Sequence, residues 1–171
     1  DDDTWLPEKL ALQVSVFDNH GRDVALVYGG YQFFNEHGVY AFQRPLVRGQ
    51  VLQDLLWERD GFCASASNPL LRVSVAQKLG GYDPDVKTGE DFHFYLRLSR
   101  EWLIEFTREL VVSVRQHDGP RLFGASDERI RTEQRVLQEF ADVMAPALRA
   151  RYLKKIGGKH VRMGNGREGR R

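Results

Sequence analysis

Cysteine is almost absent: Cys63 is the only one in 171 residues. No internal disulfide can form and nothing points to an oxidising compartment, so a cytoplasmic setting is the default. Long apolar runs are missing as well. No stretch approaches the roughly 20 residues that span a bilayer, and none reads as a secretory leader. A dominant charge is lacking too, since 25 Lys and Arg face 24 Asp and Glu for a net charge of +1. That balance argues against a general polyanion binder, and no aromatic interleaving of basic residues suggests nucleic-acid recognition. Position 1 carries no initiator Met; the chain opens on Asp1, Asp2 and Asp3. Three carboxylates are an odd start for a folded domain, and the expectation is that an N-terminal portion precedes them.

What is present suffices for one globular domain: 42% of residues are hydrophobic and 11% aromatic. Pro7-Glu8 suits a first helical turn. Leu10, Val14 and Phe17 then recur at helical spacing, predicting an amphipathic helix that ends near Asn19-His20-Gly21. Val24 to Phe34 reads as a strand, Asn35 to Gly38 as a turn and Val39 to Gln43 as a second strand. A short helix is predicted over Gly49 to Trp57. A buried strand is predicted over Phe62 to Val73, feeding a helix that the Gly80-Gly81 pair stops. Glu90 to Arg100 continues as an apolar, helical run. Two strands follow, at Leu103 to Thr107 and Leu110 to Arg115, and then one long helix from Ser126 to about Ile156 that Pro146 should kink or break. Helices and strands in alternation predict an α/β chain with a mixed sheet.

The tail is strongly basic. Lys154, Lys155, Lys159, Arg162, Arg167, Arg170 and Arg171 face the single acid Glu168, which predicts a flexible cationic segment over residues 157–171. Near an anionic leaflet each such cation contributes about 1 kcal/mol of attraction, so peripheral contact at the inner face of a membrane is a role open to it.

Two acidic motifs carry the chemistry. Asp1-Asp2-Asp3 is either a solvated acidic terminus or a set of hard oxygen ligands whose mutual repulsion a magnesium or manganese ion would relieve. Glu90-Asp91 opens an apolar helical run. There a carboxylate can cap the helix, with Thr88 as N-cap and Asp91 three residues on, or serve as a general base; the two roles are compatible.

The residues around both motifs resemble family 2 glycosyltransferases. Asp-Asp-Asp-Thr-Trp-Leu-Pro-Glu-Lys-Leu, from Asp1, is similar to the segment around that family's Asp-x-Asp motif. Gly80-Gly81-Tyr82-Asp83, followed by Gly89-Glu90-Asp91-Phe92 and Leu96-Arg97-Leu98, looks like its Gly-Gly-Phe-Asp to Glu-Asp segment. Tyr82 stands where Phe is commoner, and Phe92-His93 where Trp-Asp is more frequent. The resemblance covers about residues 1–124 and implies an incomplete GT-A fold that lacks the nucleotide-binding βαβ portion. It further implies that Asp2 ligates the metal with Asp1 and Asp3 in support, and that Asp91 is the catalytic base with Glu90 beside it. Arg115-Gln116-His117 matches an Arg-x-His of the family, which places His117 near the metal or diphosphate and Arg115, Gly80 and Gly81 on the donor or acceptor. The implied organisation is a catalytic, acceptor-side part over 1–124, a helical segment over 125–156 and a tail over 157–171.

The implied reaction moves a sugar from a nucleoside diphosphate sugar to the hydroxyl of a carbohydrate or lipid-linked acceptor, with inversion, in polysaccharide or glycolipid synthesis. Three readings stay open beside it: a non-catalytic interaction domain on the same scaffold, an inactive fragment, and a nucleotide-sugar pyrophosphorylase.

Overall fold

A computed structural model of the chain describes residues 2–116 and 127–162. The architecture is α/β with a mixed, open sheet of five strands, in line with the alternation of patterns in the sequence. There are two compact units, one drawn from Asp1–Gly81 and Tyr95–Gly119, the other from Tyr82–Phe94 and Pro120–Arg171.

The first unit holds the sheet. Strands β1 (Thr4–Trp5), β2 (Val24–Asn35), β3 (Gly38–Gln43), β4 (Leu70–Leu71) and β5 (Leu103–Arg115) run in the order β1-β5-β2-β3, and β4 also pairs with β2. β2 lies parallel to β5; the other pairs are antiparallel. Val24 to Tyr28 are each at most 2% exposed, the unbroken burial expected of a strand covered on both faces. The predicted turn joins β2 to β3, with the Asn35 side chain accepting from the His37 N–H at 2.9 Å and Gly38 at φ +106°.

Several expectations are corrected here. The two strands expected at 103–107 and 110–115 form the single strand β5, and its pairing with β2 shifts register around Tyr28, Gly30 and Tyr31. Arg108 and Glu109 are therefore absorbed as a bulge and not a turn. Gly29 permits the close approach, because a Cβ there would stand 2.7 Å from both Val111 methyls. The strand expected over Phe62 to Val73 shrinks to β4. Upstream of it the Ser65 hydroxyl accepts from the Ser67 N–H and the Ser65 carbonyl from the Asn68 N–H, both at 3.1 Å, local bonds that compete with a ladder.

Helix α1 (Lys9–Asn19) fills the predicted span but turns another face inward. Leu10 and Val14 are 46% and 45% exposed, while Lys9 and Gln13 are 1% and 0% exposed. Helices α2 (Leu52–Leu56), α3 (Val73–Lys78) and α4 (Glu90–Leu98) stand where their patterns place them. Gly80 and Gly81, at φ +73° and +68°, end α3 as the sequence predicts.

In the second unit the single long helix expected after Ser126 is two helices, α5 (Asp127–Glu139) and α6 (Pro146–Arg162). The break expected near Pro146 is present: α5 stops at Glu139 and Pro146 opens α6, at the position where a missing N–H is harmless. The buried side chains Ile130, Val136, Phe140, Met144, Leu148, Tyr152 and Ile156 form this unit's apolar interior. α6 continues past Ile156 through Gly157 and Gly158 to Arg162, so the basic segment begins inside a helix.

Candidate functional site

The acidic start is anchored to the end of β5. Pairing of Thr4 with Ser113 and Trp5 with Val112 brings Asp3 beside Arg115. One Asp3 carboxylate oxygen accepts from the Arg115 backbone N–H at 3.2 Å, and the other accepts from the Ser65 hydroxyl. Asp3 and Arg115 are thus together, although it is the main chain of Arg115 that makes the contact. Asp2 is exposed. Each Asp3 oxygen keeps a further lone pair beyond the hydrogen bond it accepts, and carboxylate oxygens are the donor type that magnesium and manganese take. Asp1 and His117, two of the four residues expected at the cation, lie outside the described residues.

The 65–68 turn that supports Asp3 leads into a buried polar hub centred on Asn68. The Asn68 side chain clamps both polar groups of Gly29 in β2, accepting from its N–H and donating to its carbonyl at 2.9 Å each. The Asn68 carbonyl accepts from the Lys9 ammonium and, at 2.9 Å, from Gln13, which also donates to the Val27 carbonyl at 3.0 Å. Trp5 closes the arrangement by donating its indole N–H to the Ser67 carbonyl at 2.9 Å, while its ring lies 5.0 Å from the Lys9 ammonium. Burial lowers the Lys9 pKa to about 8, as expected of an ammonium removed from water. The inward turn of α1 thus follows from hydrogen bonding, with Lys9 and Gln13 one turn apart on the same stripe.

The carbonyls on either side of Gly80 hold a side chain of the protein itself. Arg97 of α4 donates to the Leu79 carbonyl at 2.9 Å and to the Gly81 carbonyl. The left-handed conformations of Gly80 and Gly81 accompany this contact and give the glycine pair a structural role.

Glu90 and Asp91 occupy the first turn of α4. The helix begins one residue later than a Thr88 cap would place it, since the Gly89 carbonyl accepts the first helical bond from the His93 N–H at 2.9 Å. The Thr88 carbonyl is taken by the Thr132 hydroxyl at 2.9 Å. Asp91 is half-buried and accepts from the Phe92 N–H at 2.7 Å. Its pKa is raised chiefly by burial and also by Glu90; the Phe92 N–H and Arg129 oppose the shift without cancelling it. A carboxyl with raised proton affinity at a half-open helix start has the attributes of a general base.

A second polar cluster joins this segment to α5. Arg135 contacts an Asp83 oxygen at 2.5 Å and a Glu139 oxygen at 2.7 Å, and the other Glu139 oxygen pairs with His93 Nε2 at 2.7 Å. Burial pushes the Glu139 pKa up, but the hydrogen bonds from Arg135 and His93 outweigh it and hold the group ionised. Asp83, His93 and Glu139 present ligand atoms within 4.8 Å of one another, yet the Arg135 guanidinium already sits on both carboxylates, so the cluster is an ion-pair chain and not a vacant cation site. The groove beside it, about 460 Å³, is lined by Asp85, Thr132, Gln134, Arg135 and Gln138 among others. Neither Asp91 nor Asp3 lines it, so groove size is a poor guide to the candidate chemistry here.

No protein-family model matches the chain, and no curated protein matches it. Among the described residues no helix is long and apolar enough to cross a membrane.

Proposed function

We propose that the chain is the cation- and acceptor-side part of a metal-dependent inverting glycosyltransferase of the family 2, GT-A type. The observation that carries this reading is Asp91: a half-buried carboxyl with raised proton affinity at the start of α4, in the sequence context of that family's base. The order of elements supports it, with an acidic end anchored to β5, a mixed sheet, a Gly-Gly stop and an acid pair opening a helix.

In this reading Asp2 and Asp3 hold a magnesium or manganese ion, which when bound neutralises the charge of a leaving diphosphate. Ser65 and the Arg115 N–H fix the Asp3 carboxylate. Asp91 takes the proton from the acceptor hydroxyl as its oxygen attacks the anomeric carbon; the C–O bond to the diphosphate breaks and the configuration inverts. Burial keeps the proton affinity of Asp91 high, and Glu90 beside it adds to the effect. The donor is a nucleoside diphosphate sugar and the acceptor a carbohydrate or lipid-linked hydroxyl, with the basic C-terminal residues available for peripheral contact with an anionic membrane face.

Titration calorimetry on the intact protein with a panel of nucleoside diphosphate sugars tests the donor side. Manganese-dependent binding should weaken in Asp2→Ala and persist in Asp91→Asn. Manganese dependence unchanged in Asp2→Ala would remove Asp2 from the cation. Absence of binding to any donor would favour a non-catalytic domain, for which the engagement of both Asp3 oxygens inside the protein already speaks.

A further inference from the structure

Helix α5 grips the segment carrying Asp91 on both sides of that residue. Ahead of it, the Asp83 carboxylate receives Arg135 at 2.5 Å with one oxygen and the Asp85 N–H at 2.9 Å with the other, which closes the turn after Tyr82. Closer still, the Thr88 carbonyl accepts from the Thr132 hydroxyl, and Gly89 lies so near α5 that a Cβ would stand 2.7 Å from an Arg129 nitrogen. Beyond Asp91, His93 is fully buried and pairs through Nε2 with Glu139 at 2.7 Å. Arg135 also donates to Glu139 at 2.7 Å, so the Asp83 and His93 grips share one ion-pair chain. His93 lies two residues, about 200° of helix, from Asp91, so a hold on it fixes α4 from the side away from the half-exposed carboxyl.

We propose that α5 is the positioning element of the Asp91 carboxylate, with Glu139 and Arg135 acting through His93 and Asp83. The significance of that role rests on the reading of Asp91 as the base, while the geometry does not. Glu90 and Arg129 are the charged groups that act on Asp91 directly; Glu139 and Arg135 act by holding the backbone on either side.

The test is the carboxyl 13C titration of Asp91 in the whole 171-residue chain labelled at aspartate, assigned by the loss of its resonance in Asp91→Asn. In the unaltered chain Asp91 titrates above the ordinary carboxylate value. Glu139→Ala releases His93, opens the first turn of α4 to water and brings the midpoint down toward about 3.9. Glu139→Gln removes the same charge but keeps an oxygen for His93, and leaves the midpoint near that of the unaltered chain. An unmoved midpoint in folded Glu139→Ala overturns the proposal. Should Glu139→Ala fail to fold, Arg135→Met cuts the Asp83 arm and carries the same expectation, with an unmoved midpoint again overturning it. A purely stabilising helix would change the melting temperature and leave the Asp91 midpoint in place. The titration uses no donor or acceptor, so its failure leaves the transferase reading standing, and a failed transfer assay leaves this one standing.

Discussion

Two polar clusters in this chain handle buried charge in opposite ways. In the first unit Lys9 is 1% exposed, and its ammonium is met by the Gln13 side-chain oxygen, the Asn68 carbonyl and the face of Trp5. In the second unit the Arg135 guanidinium bridges the Asp83 and Glu139 carboxylates, Glu139 is hydrogen-bonded to His93, and Arg135 and Glu139 each remain 35% exposed at the side chain. The first arrangement charges the desolvation of a cation against the fold and recovers order in the 65–68 turn that supports Asp3. The second neutralises its charges and recovers order around Asp91. A buried ion without a counter-ion is retained against a stability cost, whereas a half-exposed ion-pair chain costs little and contributes little.

The sharpest way to break the first cluster is Asn68→Ala. It strips partners from the Gly29 N–H and carbonyl in the buried centre of the sheet, and urea denaturation should show a loss of about 4 kcal/mol. Next comes a pH effect. The folded-state pKa of Lys9 lies below its unfolded value, so the unfolded chain binds the proton more tightly and the cost is present in full below the folded pKa. Stability should rise with pH from about 8 toward 10.5. Comparing the unaltered chain with Lys9→Met across that window isolates the effect, with an upper bound of about 3 kcal/mol in favour of the unaltered chain. No change in that difference would show that the ammonium is better solvated than its burial implies.

The second cluster should answer more weakly. Arg135→Met leaves Asp83 and Glu139 without their shared cation, but its partial exposure limits the loss to about 1 kcal/mol, reduced further by salt. Glu128→Gln removes an exposed pair with Arg131 at 2.7 Å and should cost under about 0.5 kcal/mol. A loss for Arg135→Met as large as that for Asn68→Ala would erase the distinction between the clusters.

The two clusters also mark the limit of what the sequence carries. Patterns set by local chemistry were legible: the Pro7-Glu8 helix start, the Asn35–Gly38 turn, the Gly80-Gly81 stop and the run Val24 to Tyr28 of a strand covered on both faces. Elements whose form depends on distant partners were not. Leu10, Val14 and Phe17 have helical spacing, but Lys9 and Gln13 win the inward face because Val27 and Asn68 present carbonyls there. The sequence reads as two strands around Arg108 and Glu109, and these residues become a bulge in one strand because β2 offers Gly29 opposite. At the candidate site, Asp3, Arg115, Glu90 and Asp91 could be named in advance from their motifs. Ser65, Ser67 and Asn68 could be named only as polar residues open to a sugar site and His93 only as a departure from the family pattern, while Arg135 and Glu139 could not be named at all; the contacts of Asn68 and His93 come from pairings 39 to 59 residues apart in the chain.

The most direct test of the account is manganese-dependent release of nucleoside diphosphate from a panel of donor sugars in the presence of hydroxyl acceptors, comparing the intact protein with its Asp91→Asn variant. Release by the unaltered protein that falls about 100-fold or more in the variant, with donor affinity unchanged, is the predicted result. Release at the same rate in both would contradict it and leave Asp91 a helix-start residue without a part in the chemistry.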